Sequence, residues 1–102
     1  MKKAILSLAI AIMGVTSVQA SVICEPVAEM AKDVMRARQS GVALSDMKKI
    51  AEDMGPSSIG RMVQAMVAQA YNEPRDKTEK AKQKTITAFS QAHMLLCVAG
   101  TK

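Results

Sequence analysis

Apolar residues recur at intervals of three and four along most of this 102-residue chain, the spacing of helices buried along one face. Strand-like alternation is missing: β-branched residues are scattered, aromatics are scarce, and the abundant Ala, Met, Lys and Gln favour helix. Glycine and proline punctuation divides the pattern into four segments. In the first, Val27, Met30, Ala31, Val34 and Met35 form the stripe, Pro26 suits a first helical position, and Ser40-Gly41 ends the run. In the second and shortest, Ser45 is the expected N-cap, Met47, Ile50, Ala51 and Met54 share a face, and Gly55-Pro56 closes it. The third, capped by Ser57 or Ser58, has the most regular stripe: Ile59, Met62, Val63, Met66, Val67 and Ala70, broken at Asn72-Glu73-Pro74. The fourth and longest begins between Arg75 and Thr78 and runs towards Val98. Its expected inward face is Ile86, Phe89, Ala92, His93, Leu96 and Cys97, with Gly100 past its end. Short connections make sequential helices antiparallel, so the expected fold is all-α, a small antiparallel four-helix domain.

Ahead of these segments, Lys2 and Lys3 precede an apolar run from Ala4 to Val15 and then Thr16-Ser17-Val18-Gln19-Ala20. These are the three zones of a secretory signal, with cleavage expected after Ala20. The run is about 12 residues, well short of the roughly 20 that cross a bilayer as a helix. Ile23 stands where a lipoprotein signal wants a small residue before Cys24, which argues against a lipid anchor. The expected organisation is a cleavable signal over 1–20 and one helical domain over 21–102, periplasmic or secreted. In a small exported chain an even cysteine count reads as a disulfide, and Cys24 and Cys97 allow one intramolecular pairing. Cys24 opens the first helix and Cys97 lies near the end of the fourth, so antiparallel packing brings them within bridging reach.

Removing Lys2 and Lys3 lowers the formal net charge from +5 to +3, so part of the basic balance belongs to the signal. The remaining charges alternate at helical spacing, as in Asp33 with Arg36, Asp46 with Lys49, Lys48 with Glu52 and Asp76 with Lys80, a pattern of solvated faces. Lys77, Lys80, Lys82 and Lys84 form the one local basic cluster, suited at most to weak contact with an anionic surface. Nucleic acid is not an expected partner, because one Tyr and one Phe give bases little to stack on.

The side chains able to do chemistry are few. His93 and Cys97 lie one turn apart, a spacing that chelates metal or sets a base beside a thiol, but a disulfide removes the thiolate. Met62 and Met66, with Met94 beside His93, offer donors that suit monovalent copper. Met30, Met47, Met54, Met62 and Met66 all fall in apolar stripes, where methionine fills irregular cores or softens a binding surface, so no cofactor is expected. A single His, no Gly-rich phosphate loop and no nucleophile motif argue against an enzyme. Arg36, Arg38 and Gln39 precede Gly41, where arginine complements a helix C-terminus or recognises a partner. Tyr71 to Arg75 reads as a structural corner with the Tyr hydroxyl bonding across it. The alternative groups Arg36, Arg38, Gln39, Tyr71 and Arg75 as a partner-binding set.

On Met35-Arg36-Ala37-Arg38-Gln39-Ser40-Gly41, Ala70-Tyr71-Asn72-Glu73-Pro74-Arg75 and the closing Phe89 to Cys97 segment, the chain resembles a group of small exported bacterial helical proteins. They share a signal peptide, an Arg-Gln-x-Gly element, an Ala-Tyr-x-x-Pro element and a late cysteine, and some lie in prophage regions. The resemblance spans most of residues 24–97 and implies an exported helical fold without known chemistry. A looser comparison is with acid-stress periplasmic chaperones, also small, helical and held by one disulfide; here the cysteines are farther apart and the charge is basic. The expected role is therefore a protein-interaction module of the cell envelope. A small periplasmic chaperone, or a copper or small-ligand carrier, stands as the alternative.

Overall fold

The computed structural model describes residues 23–100; the signal and cleavage point read at residues 1–20 lie outside them. Among the described residues the chain forms four helices and no strand. Helix α1 covers 23–40, α2 Leu44–Asp53, α3 Ser58–Asn72 and α4 Glu79–Gly100.

Each helix end has a local cause. Gly41 adopts φ 90°, and Val42 N donates to Ala37 O at 3.0 Å while Gly41 N donates to Arg38 O at 3.1 Å. These paired bonds satisfy carbonyls that the last turn of α1 leaves open, and the positive φ is one that glycine adopts at little cost. The chain leaves this stop already extended at Ala43, whose carbonyl accepts from Asp46 N and Met47 N. Helix α2 therefore starts at Leu44, and Ser45, the expected N-cap, lies inside its first turn. Gly55, at φ 79°, ends α2 with its N–H on Glu52 O at 2.9 Å. Ser57 caps α3 as expected, its Oγ accepting from Gly60 N at 3.1 Å. Thr78 caps α4 in the same way, accepting from Ala81 N at 3.1 Å. Pro26 does not open α1, because residues 23–25 are already helical; its fixed φ is itself helical, so the ring fits inside the helix's early turns.

Burial follows the expected stripe in α1 and most of it in α3, but Ile50 and Met54 of α2 and Ile59 of α3, expected to face inward, are 51%, 43% and 56% exposed, because they stand at the edges of apolar faces wider than the core covers. Ala31, Val34 and Met35 of α1 meet Met47 and Ala51 of α2, Val63, Met66, Val67 and Ala70 of α3, and Ile86 of α4 in one core. Helices α2 and α3 pack on each other as a hairpin, while α4 lies along α1. Three contacts define that antiparallel pairing: Cys24 is bonded to Cys97 with Cα atoms 5.7 Å apart, Ser90 Oγ donates to Ala28 O at 2.9 Å, and Gln39 meets the chain just ahead of α4. The bridge closes a sequence separation of 73 residues. In the chain-entropy model such a loop stabilises the fold by about 4 kcal/mol.

The inward face expected for α4 needs correction. Ile86 is buried and Phe89, His93 and Cys97 are half-buried, but Ala92 is exposed and Leu96 is 65% exposed. A helix laid against one neighbour buries a narrow stripe, here Ile86, Phe89, His93 and Cys97 at steps of three, four and four; Ala92 and Leu96 flank it. Gly100 is still helical rather than beyond the end.

The α2–α3 turn depends on one close approach. Gly60 is buried, and a Cβ built there would land on the carbonyl oxygen of Gly55. Alanine is worth about 1 kcal/mol over glycine inside an open helix. At this site overpacking should outweigh that preference, so Gly60→Ala is expected to lose about 1–2 kcal/mol in urea denaturation of the oxidised protein. Gly100→Ala, where nothing lies within 4 Å of the added Cβ, is the control that should show no loss.

Candidate functional site

The two sequence elements behind the resemblance meet in space. Gln39 is 1% exposed, and a buried carboxamide must be matched on both its donor and acceptor sides. Its Nε2 donates to Pro74 O at 3.1 Å and approaches Met35 Sδ at 3.7 Å, while its Oε1 accepts from Asp76 N at 2.7 Å. Arg75 answers in the other direction, its Nε donating to Gln39 O at 3.3 Å and its guanidinium lying over Gly41. A Cβ at residue 41 would sit 3.1 Å from that guanidinium, a second reason for glycine at this stop. Arg38 Nε donates to Glu73 O at 3.0 Å, at the C-terminal end of α3, where a cation also complements the helix dipole. Its guanidinium lies 5.1 Å from the centroid of the Tyr71 ring, whose hydroxyl donates to Val42 O at 2.7 Å. Asp76 completes the set by accepting from Thr85 Oγ1 at 2.5 Å.

Thus Arg38, Gln39, Tyr71 and Arg75 come together, and the bonds they make run within the molecule. Tyr71 is the structural corner read from the sequence, its hydroxyl bonding across the α1–α2 connection. Burial raises its pKa above the usual 10.0, with Arg38 opposing and Asp46 adding to the rise. Arg36 stands apart on the exposed side of α1, bonded to Asp33 at 2.9 Å.

The possible metal donors divide between two helices. Met66 is enclosed in the core, and Met62 packs against that core on the same helix α3. On α4, His93 leans on Phe89 with ring centroids 4.6 Å apart, and Met94 is half-buried beside it. Cys97 is in the disulfide, so the His93–Cys97 spacing holds no thiolate. Among the described residues no group of three or more His, Cys, Asp and Glu side chains is placed to hold a metal ion. No described helix is long and apolar enough to cross a membrane.

The methionine-bearing surface that the sequence suggests without locating lies on the other side of α1. A groove of about 260 Å³ runs between Met30, Val34 and Ala37 of α1 and Met47, Ile50 and Met54 of α2, with Val63 of α3 beneath and Asp33 at its edge. Ile50 and Met54 remain 51% and 43% exposed. The signal was present in α2, whose apolar face is wider than a ten-residue helix needs for the two residues, Met47 and Ala51, that it buries. Comparison with known proteins adds nothing further: no family model, curated protein or solved structure matches the chain.

Replacing Gln39 by Met keeps its bulk while leaving the carbonyl of Pro74 and the amide of Asp76 without this partner. The expected cost is about 2–4 kcal/mol, read by urea denaturation, with faster hydrogen exchange at the Asp76 amide. For His93 the cause is burial, which lowers its pKa below 6.5 and favours the neutral ring in the fold. Its contribution is full above the unfolded value and is lost as pH falls towards the lowered native value. Stability should therefore decline as pH falls below the unfolded value of 6.5, and His93→Gln should remove that part of the slope.

Proposed function

We propose that this chain is an exported, periplasmic helical module that acts by binding another protein of the cell envelope rather than by chemistry. The disulfide between Cys24 and Cys97 and the absence of a described membrane-crossing helix are consistent with that setting. The observation that carries the reading is the methionine-lined groove between α1 and α2, with Ile50 and Met54 half in solvent at its edge. Exposed apolar side chains around a concave surface are the usual makings of a contact site, and methionine adapts to the shape that arrives. The arginine–tyrosine corner is the weaker docking surface, since its hydrogen-bonding groups already hold α1 to the α3–α4 connection.

A photo-crosslinking residue at position 50 or 54 in living cells should join the chain to one envelope protein, whereas position 84 or 91 on exposed α4 should not. The purified pair should then bind, and Ile50→Asp should weaken binding at least about tenfold with the helical circular dichroism unchanged. Equal adducts from every position, or none from 50 and 54, would remove the reading.

A further inference from the structure

The groove is apolar inside and carries carboxylates on both banks. On α1, Asp33 lines it and Glu29 stands one turn earlier on the same edge. On α2, Asp46 and Asp53 flank Ile50, one turn before and one turn after it, and all four carboxylates are exposed. Three cations stand near them: Arg36 pairs with Asp33 at 2.9 Å, Lys32 follows Glu29 by three residues, and Lys49 lies one turn after Asp46 and one turn before Asp53, farther round α2 than Ile50. Lys48 faces the opposite side of α2, beside Gln64 and Ala68. An excess of negative charge therefore borders this groove, on a chain whose overall balance is positive.

From this charge pattern we infer that the occupant of the groove is a cationic amphipathic helix belonging to the envelope partner. The inference rests on the interaction reading above. The helix lays its apolar face on Met30, Met47, Ile50 and Met54 and sets Lys or Arg against Asp33, Asp46 and Asp53. An apolar stripe at three- and four-residue spacing matches a groove formed between two helices, and flanking cations match its two acidic banks. Opposite charge at the rim speeds encounter and rejects acidic helices, while the apolar floor supplies most of the affinity.

The test uses the full chain, purified oxidised, and three labelled helical peptides of about 18 residues, roughly five turns. They share one leucine face and differ only in carrying Lys, Gln or Glu on the other. Fluorescence anisotropy at about 50 mM salt should show the Lys peptide binding at least tenfold tighter than the Glu peptide, an advantage that shrinks at about 500 mM. Ile50→Asp should abolish binding, and the double variant Asp46→Asn, Asp53→Asn should reduce the Lys-over-Glu preference to about threefold or less while circular dichroism stays unchanged. Equal or tighter binding of the Gln or Glu peptide overturns the inference, as does Lys-peptide binding that survives Ile50→Asp. Sedimentation showing a dimer, broken by Ile50→Asp, also overturns it by making a second copy the occupant. If the peptides fail while crosslinking from position 50 still captures one envelope protein that binds when purified, the partner's chemistry is wrong and the interaction reading stands. If both fail, both fall.

Discussion

A single buried carboxamide sets the geometry of this molecule. Gln39 sits in the last turn of α1 with almost no access to water, so its amide must find protein partners or destabilise the fold. It finds them on either side of Arg75, at Pro74 O and Asp76 N, much as a neighbouring strand would pair with an extended segment. Arg75 returns a bond to the backbone of Gln39, and Arg38 takes the adjoining Glu73 carbonyl. The chain leaving α3 is thereby fixed against the end of α1, and the direction in which α4 departs is fixed with it. Ser90 meeting Ala28, and Cys97 meeting Cys24, follow along the same antiparallel line.

The two halves of the molecule are consequently held by different forces. Helices α1, α2 and α3 share most of the apolar core, and burial alone gives them a strong reason to stay together. Helix α4 contributes one fully buried apolar residue, Ile86. The full burial of one such side chain is worth about 1.5–3 kcal/mol, too little to order a 22-residue helix against its loss of freedom. Directional bonds at its leading end and a covalent bond near its far end make up what area does not. The disulfide is therefore part of what positions α4, in addition to its effect on the unfolded chain.

How far this could be read beforehand depended on whether the cause was local. Three helix stops were legible in Gly41, Gly55 and Pro74, and the cap at Ser57 followed from its short side chain. Ser45 misled because the start of α2 was determined by how α1 stops: once Gly41 and Val42 complete that stop, Ala43 is already extended. The cysteine pairing was legible because only one intramolecular choice existed. Ala92 and Leu96 were misplaced because periodicity gives the width of an apolar face, whereas the number of neighbours decides how much of it is covered. The union of Gln39 with Pro74 and Asp76 had no signature at all, since 35 and 37 residues separate the partners. The groove was half legible: its methionines were counted, but their division between interior and surface arises only when α2 packs beside α1 and α3.

That division makes methionine informative here. Met35 and Met66 are sealed in the core, where an unbranched side chain fills irregular space, while Met30 and Met54 use the same flexibility at an open edge. Arg38, Arg75 and Tyr71, of the residue types that most often anchor protein contacts, are engaged instead in joining the end of α1 to the end of α3 and the chain that follows it. The corner that would look most like a binding site by composition is therefore the one with the least free hydrogen-bonding capacity. On the proposed reading, contact with a partner falls to the methionine groove and its acidic banks. Four lysines, Lys77, Lys80, Lys82 and Lys84, stand around the start of α4, so on the proposed reading a charged partner would meet faces of different character before any apolar contact forms.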